Sequence, residues 1–116
     1  MLKDKLFLLK PDFMDGEEGP FYCPESTPIE GLLSYYPQLR EQLEVCYLDF
    51  PRPRQAIMNE IGAENQGMPV IVLSAERRIP AGDFEAREAN GKQFITGDRE
   101  ICSYLSMAYR IGMAHP

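Results

Sequence analysis

Met68-Pro69-Val70-Ile71-Val72-Leu73 is the strongest strand signal in the chain, with a proline at its entry, where a missing N–H is tolerated. A strand that is apolar at every position needs cover on both faces, which calls for helices on either side of a sheet. Three further segments supply its neighbours. Leu6-Phe7-Leu8-Leu9, bounded by Lys5 and Lys10 and ended by Pro11, reads as a buried first strand. Val45 to Phe50 reads as a second, with Val45 and Tyr47 on one face and Cys46 and Leu48 on the other. Gln93-Phe94-Ile95 returns as a short antiparallel strand.

Helical patterns lie between these runs. Ile29, Leu32, Leu33 and Tyr36 have helical spacing, and Thr27, Pro28 and Glu30 supply an N-cap, a first-position proline and a capping-box acid. Pro37 interrupts this helix, and Gln38 to Gln42 add another turn. Pro53 is placed to begin a helix over Gln55 to Ile61, which Gly62 stops. Asp98 is placed to cap a final helix whose apolar face holds Ile101, Tyr104, Leu105 and Ala108. The order strand, helix, strand, helix, strand, strand, helix predicts one α/β domain over residues 1–116, a mixed sheet with helices on both faces. Residues 11–22 read as a long acidic surface loop, and 74–92 as an excursion of weak structural preference.

A chain of 116 residues, 44% of them apolar, is expected to fold around a single core. No apolar run approaches the roughly 18 residues that cross a bilayer, and Leu6 to Leu9 is too short for a secretory segment. The expectation is a cytoplasmic protein without a membrane partner. The net charge of -6 and the lack of a basic stripe argue against nucleic acid, because phosphate binding needs a clustered positive surface. Three cysteines is an odd count, so free thiols are expected rather than a disulfide framework. The spacing of the cysteines and the lone His115 matches no closed zinc site, and no metal is assigned.

Phe21-Tyr22-Cys23-Pro24-Glu25-Ser26-Thr27-Pro28 places a cysteine between a strand and the start of a helix. Free N–H groups at a helix start stabilise a thiolate, so Cys23 is the candidate nucleophile. Two registers are open: with Cys23 as the cap, Pro28 falls inside the helix, and with Thr27 as the cap, Cys23 lies a turn upstream. Glu17, Glu18 and Glu25 put negative charge beside the thiol, which disfavours a thiolate and an anionic ligand. Cys46, on what reads as an interior strand, and Cys102, in the last helix, are expected to pack as small hydrophobes. Arg52 and Arg54 read as solvated or loop-organising.

The element order, with Cys23-Pro24-Glu25-Ser26 after the first strand and Met68-Pro69 at the entrance to the third, resembles the thioredoxin fold, closest to glutaredoxins and the N-terminal domains of glutathione transferases. Phe21-Tyr22-Cys23-Pro24 resembles the entry of a glutaredoxin site, Gly67 to Leu73 the segment carrying a cis-proline, and Ile95 to Ile101 the turn that binds the glutamyl end of glutathione. Phe21-Tyr22-Cys23, Ile29 to Leu33, Pro51 to Arg54 and Glu64-Asn65-Gln66 resemble a bacterial family of thioredoxin-like proteins with no assigned function. The resemblance implies a monothiol C-x-x-S site. Cys23 would attack a disulfide, and Ser26 would stand where a resolving cysteine stands and donate a hydrogen bond to the thiolate. Tyr22 and Pro24 would flank the thiol, Met68 would offer its backbone before a cis Pro69, and Gly97 and Asp98 would receive the ligand's terminal charges. Arg54 would meet a carboxylate. Glutathione, not tightly bound, or a protein thiol or disulfide would be the partner. The alternative is a binding or scaffold module that keeps the cleft without turnover. A homodimer through Tyr35, Tyr36 and Tyr109 is a further option.

Overall fold

The four apolar residues that follow Lys5 sit at the centre of the sheet. In the computed structural model, which describes residues 2–116, β1 (Lys5–Leu9) leads into a hairpin of β2 (Phe13–Asp15) and β3 (Glu18–Phe21). Then come α1 (Ser26–Tyr35), α2 (Leu39–Gln42), β4 (Glu44–Leu48), α3 (Gln55–Ile61), β5 (Val70–Val72), β6 (Arg87–Ala89), β7 (Lys92–Thr96) and α4 (Asp98–Tyr109). The helical crossover brings β4 back parallel to β1, as a parallel pair requires, while β5 and β7 run antiparallel to their neighbours. The result is a five-stranded mixed sheet in the order β4-β1-β5-β7-β6.

Alternation along β1 divides the core in two. Leu6 and Leu8 point to the face covered by Ile29 and Leu33 of α1 and Ile101, Tyr104 and Leu105 of α4. Phe7 points to the other, where Val70, Val72 and Phe94 meet Ile57 and Ile61 of α3. Helices therefore cover both faces, as expected. No helix among the described residues is long and apolar enough to cross a membrane.

Four expectations need correction. The acidic stretch 11–22 is not a loop: Phe13 pairs with Phe21 and Asp15 with Glu18, Gly16 takes the positive φ of the turn, and Phe13 stacks on Phe50 at 4.5 Å. The 74–92 excursion contains β6, joined to β7 through Asn90-Gly91, both at positive φ, the two-residue turn whose twist matches a hairpin. Asp98 is not the cap of α4. Gly97, at φ 86°, holds that position, and Asp98 lies in the first turn, where a carboxylate still complements the helix dipole. Finally, β4 is an edge strand, so Cys46 is half-buried at the sheet margin rather than interior.

A buried polar cluster fastens α4 to the start of β1. Asp4, fully buried, accepts hydrogen bonds from the Ser74 N–H at 2.7 Å, the Tyr109 hydroxyl at 2.7 Å and the Tyr104 hydroxyl. Arg77 completes it, with Nε 3.4 Å from Asp4, a hydrogen bond to the Tyr109 oxygen at 2.8 Å and its guanidinium 4.7 Å from the Tyr109 ring centroid. Tyr109 is thereby committed within the fold, and Tyr36 packs against the core, leaving Tyr35 as the exposed member of the three tyrosines considered for pairing.

Burial, with the hydrogen bonds to Asp4, pushes the phenols of Tyr104 and Tyr109 well above their usual range. Burial, with the charge of Asp98, pushes the Cys102 thiol up to about 11. Each group keeps in the fold a proton that the unfolded chain loses, at about pH 9 for the thiol and about pH 10 for the phenols. Their contributions are complete below those values and are lost as pH rises. Stability measured by urea unfolding should therefore decline from about pH 9, at up to ~1.4 kcal/mol per pH unit for each group. A flat profile to about pH 11 would contradict this origin of the shifts.

Candidate functional site

Cys23 follows directly on the β2–β3 hairpin, and its carbonyl opens the next helix. The Ser26 N–H donates to that carbonyl at 3.2 Å and the Thr27 N–H at 3.3 Å. The first turn thus winds from Cys23, and regular helix runs from Ser26. Pro28 has no N–H to give the Pro24 carbonyl, and the Thr27 hydroxyl fills the gap, donating to it at 3.1 Å. The chain adopts neither register: Glu25 is the N-cap of α1, and Cys23 supplies the carbonyl of the turn that leads into it. Thr27 is not the cap, and Glu30 makes no capping box.

The thiol of Cys23 is free and half-buried. Ser26 is 6% exposed, and its hydroxyl oxygen accepts the Leu9 N–H at 3.4 Å, tying the head of α1 to the end of β1. The sequence leads one to expect this hydroxyl to donate to Cys23. Among the described residues no hydrogen bond joins the two side chains.

Tyr22, Cys23 and Ser26 line one cavity of about 320 Å³, walled by Leu8, Leu9 and Pro11 after the first strand and by Tyr47 of β4. Thr27 and Glu30 of α1 complete it. The lining is largely apolar, with its polar groups at the thiol and the rim. At that rim Tyr47 donates to Glu30 at 2.5 Å and accepts from Arg40 at 3.0 Å, while Arg40 also pairs with Glu30. Burial and the Glu30 bond outweigh Arg40 and hold the Tyr47 phenol above its usual range. This Glu30–Tyr47–Arg40 group escaped the sequence reading, since it joins α1, β4 and α2 through side chains that look like ordinary surface.

Arg54 is 8% exposed, not solvated. Its Nε and Nη2 donate to the Phe50 carbonyl at 3.1 and 2.6 Å and its Nη1 to the Gln66 carbonyl at 2.7 Å, so it organises the loops around α3. Burial, then the charge of Arg52, lowers its pKa.

Met68-Pro69 is a cis peptide. Phe7 pairs with Val70 and Val70 with Thr96, so Met68-Pro69, the end of β1 and Gly97-Asp98 all stand at one end of the sheet. Of these, only the end of β1 lines the cavity beside Cys23; Met68, Pro69, Gly97 and Asp98 do not. A second cavity, of about 370 Å³, lies at the opposite end. There Glu60 sits between Lys5 at 2.9 Å and Lys92 at 2.6 Å. Against burial, the bonds from Lys92 and Lys5 hold the Glu60 carboxyl below its usual range. No group of three or more metal-binding side chains occurs among the described residues.

No curated protein and no solved structure matches the chain. One family model does, over residues 3–114 of the 116. The chain belongs to the family described as "Protein of unknown function (DUF3088)".

Proposed function

We propose that this is a thioredoxin-like domain that carries out thiol–disulfide exchange at Cys23, with glutathione or a protein thiol as the resolving partner. The observation that carries the reading is the placement of Cys23: a free, partly exposed thiol in the turn that leads into α1, lining a cavity. Free N–H groups at a helix start favour a thiolate. The strand order β4-β1-β5-β7 and the cis Met68-Pro69 support the thioredoxin-like reading of the frame. Free cysteines fit a reducing, cytoplasmic compartment.

In the proposed cycle the Cys23 thiolate attacks the glutathione sulfur of a glutathionylated substrate. A disulfide forms between Cys23 and glutathione, and the substrate thiolate leaves with the electron pair and takes up a proton. A second glutathione thiolate then attacks that disulfide, giving oxidised glutathione and restoring the Cys23 thiolate. With serine in the C-x-x-S position, the chain offers no resolving thiol there.

The second reading, a scaffold that keeps the cleft without turnover, is favoured because, among the described residues, no hydrogen bond runs from the Ser26 hydroxyl to Cys23. Turnover separates the two. Glutathione-driven reduction of a glutathionylated peptide, followed as oxidised glutathione, should exceed the uncatalysed exchange. A rate equal to it would favour the scaffold.

A further inference from the structure

Between Pro11 and Leu39 the chain holds six acids, Asp12, Asp15, Glu17, Glu18, Glu25 and Glu30, and no lysine or arginine. Residues 11–39, which hold the hairpin, Cys23 and α1, thus carry the whole net charge of -6, and the rest of the chain sums to zero. The nearest cations in sequence are already engaged: Lys10 pairs with Asp49 at 3.2 Å, and Arg40 with Glu30. All of these acids except Glu30 are exposed.

The same region leaves apolar surface open. Met14, Phe21 and Tyr22 are 48%, 42% and 63% exposed, and Tyr22 forms one wall of the largely apolar cavity beside the thiol. Phe21 packs against Phe13 at 6.1 Å, and Phe13 against Phe50, but Met14 and Tyr22 join no aromatic pair among the described residues and stand open with the outer part of Phe21.

We infer that this groove docks a cationic peptide segment: lysines or arginines of a partner protein face the hairpin acids, an apolar side chain enters the cavity, and a cysteine of the segment, held as a mixed disulfide, presents that disulfide to Cys23. The inference rests on the exchange reading above and names its substrate class. Charge complementarity selects the occupant, because a field of one sign around a cleft concentrates ligands of the other and repels anions. Free glutathione, with its net negative charge, is the disfavoured member of the pair and acts only to resolve the mixed disulfide.

The test uses two peptides of one sequence, each with a single cysteine held as a mixed disulfide with thionitrobenzoate, flanked in one by lysines and in the other by glutamates. The Cys23 thiolate attacks the peptide sulfur, the bond to thionitrobenzoate breaks, and thionitrobenzoate leaves with the electron pair as the coloured product. Rates are corrected with Cys23→Ser. The basic peptide should react about tenfold faster at low ionic strength, an advantage that largely disappears at about 1 M salt. The double variant Glu17→Lys/Glu18→Lys, checked for folding by circular dichroism, should reduce or reverse the order. Tyr22→Ala should weaken saturation by the basic peptide. Equal rates for the two peptides, or saturation unchanged in Tyr22→Ala, overturn the docking inference while leaving Cys23 an exchanging thiol. Reaction of neither peptide at Cys23 overturns the exchange reading, and the docking inference with it.

Discussion

Replacing Asp4 by alanine should cost the fold about 3 kcal/mol, a large part of the stability of a domain this size. Asp4 is fully buried and is the common acceptor for Tyr104, Tyr109 and the Ser74 N–H. Its removal leaves two hydroxyls and one amide without their acceptor, the Tyr104 hydroxyl fully buried among them, and takes the counter-charge from Arg77. Leaving a buried donor unsatisfied costs about 1–3 kcal/mol, which exceeds what a surface ion pair is worth. Arg77→Met should be milder, because the Arg77 side chain is 28% exposed and its stem can still cover Tyr109. Urea unfolding of the two variants tests the ranking. Equal losses, or a loss under about 1 kcal/mol for Asp4→Ala, would mean that water reaches the cluster and replaces the carboxylate.

Cys23→Ser should abolish glutathione-driven turnover, a fall of about a hundredfold or more to the uncatalysed rate, while the urea midpoint stays within experimental error of the parent. The oxygen of serine cannot form the mixed disulfide on which the cycle depends, and the half-exposed thiol is not part of the buried core. Ser26→Ala should lower turnover about tenfold or less, because it removes one long hydrogen bond to Leu9 and loosens the head of α1 without touching the nucleophile. A Cys23→Ser protein that retains turnover would move the activity to Cys46 or Cys102, and Cys102→Ser would then be the decisive variant.

The parts of this fold that were legible in the sequence are those written locally. Leu6 to Leu9 and Val70 to Val72 carry uninterrupted apolar runs, and Gln55 to Ile61 has its stop in Gly62, so strands and helices fall where expected. The hairpin was obscured because its acids read as loop residues, while the pairing of Phe13 with Phe21 depends on a turn at Gly16 and a partner ring at Phe50. Strand β6 did have a local signal, Asn90-Gly91, which the charged residues around it masked. The start of α1 turned on a hydroxyl: Thr27 serves the carbonyl that Pro28 cannot, which lets the turn begin at Cys23. Nothing local could reveal Asp4 meeting Tyr104 and Tyr109, more than 99 positions away. The same holds for Arg54, whose anchoring carbonyls belong to loops that only the folded chain brings together.

The measurement that bears most directly on Cys23 is the pH dependence of its alkylation by iodoacetamide, followed by peptide mass spectrometry alongside Cys46 and Cys102. The latter two are internal references, because burial raises both of their thiol pKa values, Cys102 to about 11. A working site predicts that Cys23 is alkylated faster than Cys46 and Cys102 at every pH. It also predicts that glutathione disulfide protects Cys23 by forming an adduct there. Alkylation of Cys23 that is no faster than that of Cys46 and Cys102 and is unaffected by glutathione disulfide would contradict the exchange mechanism and leave the cleft as a binding surface.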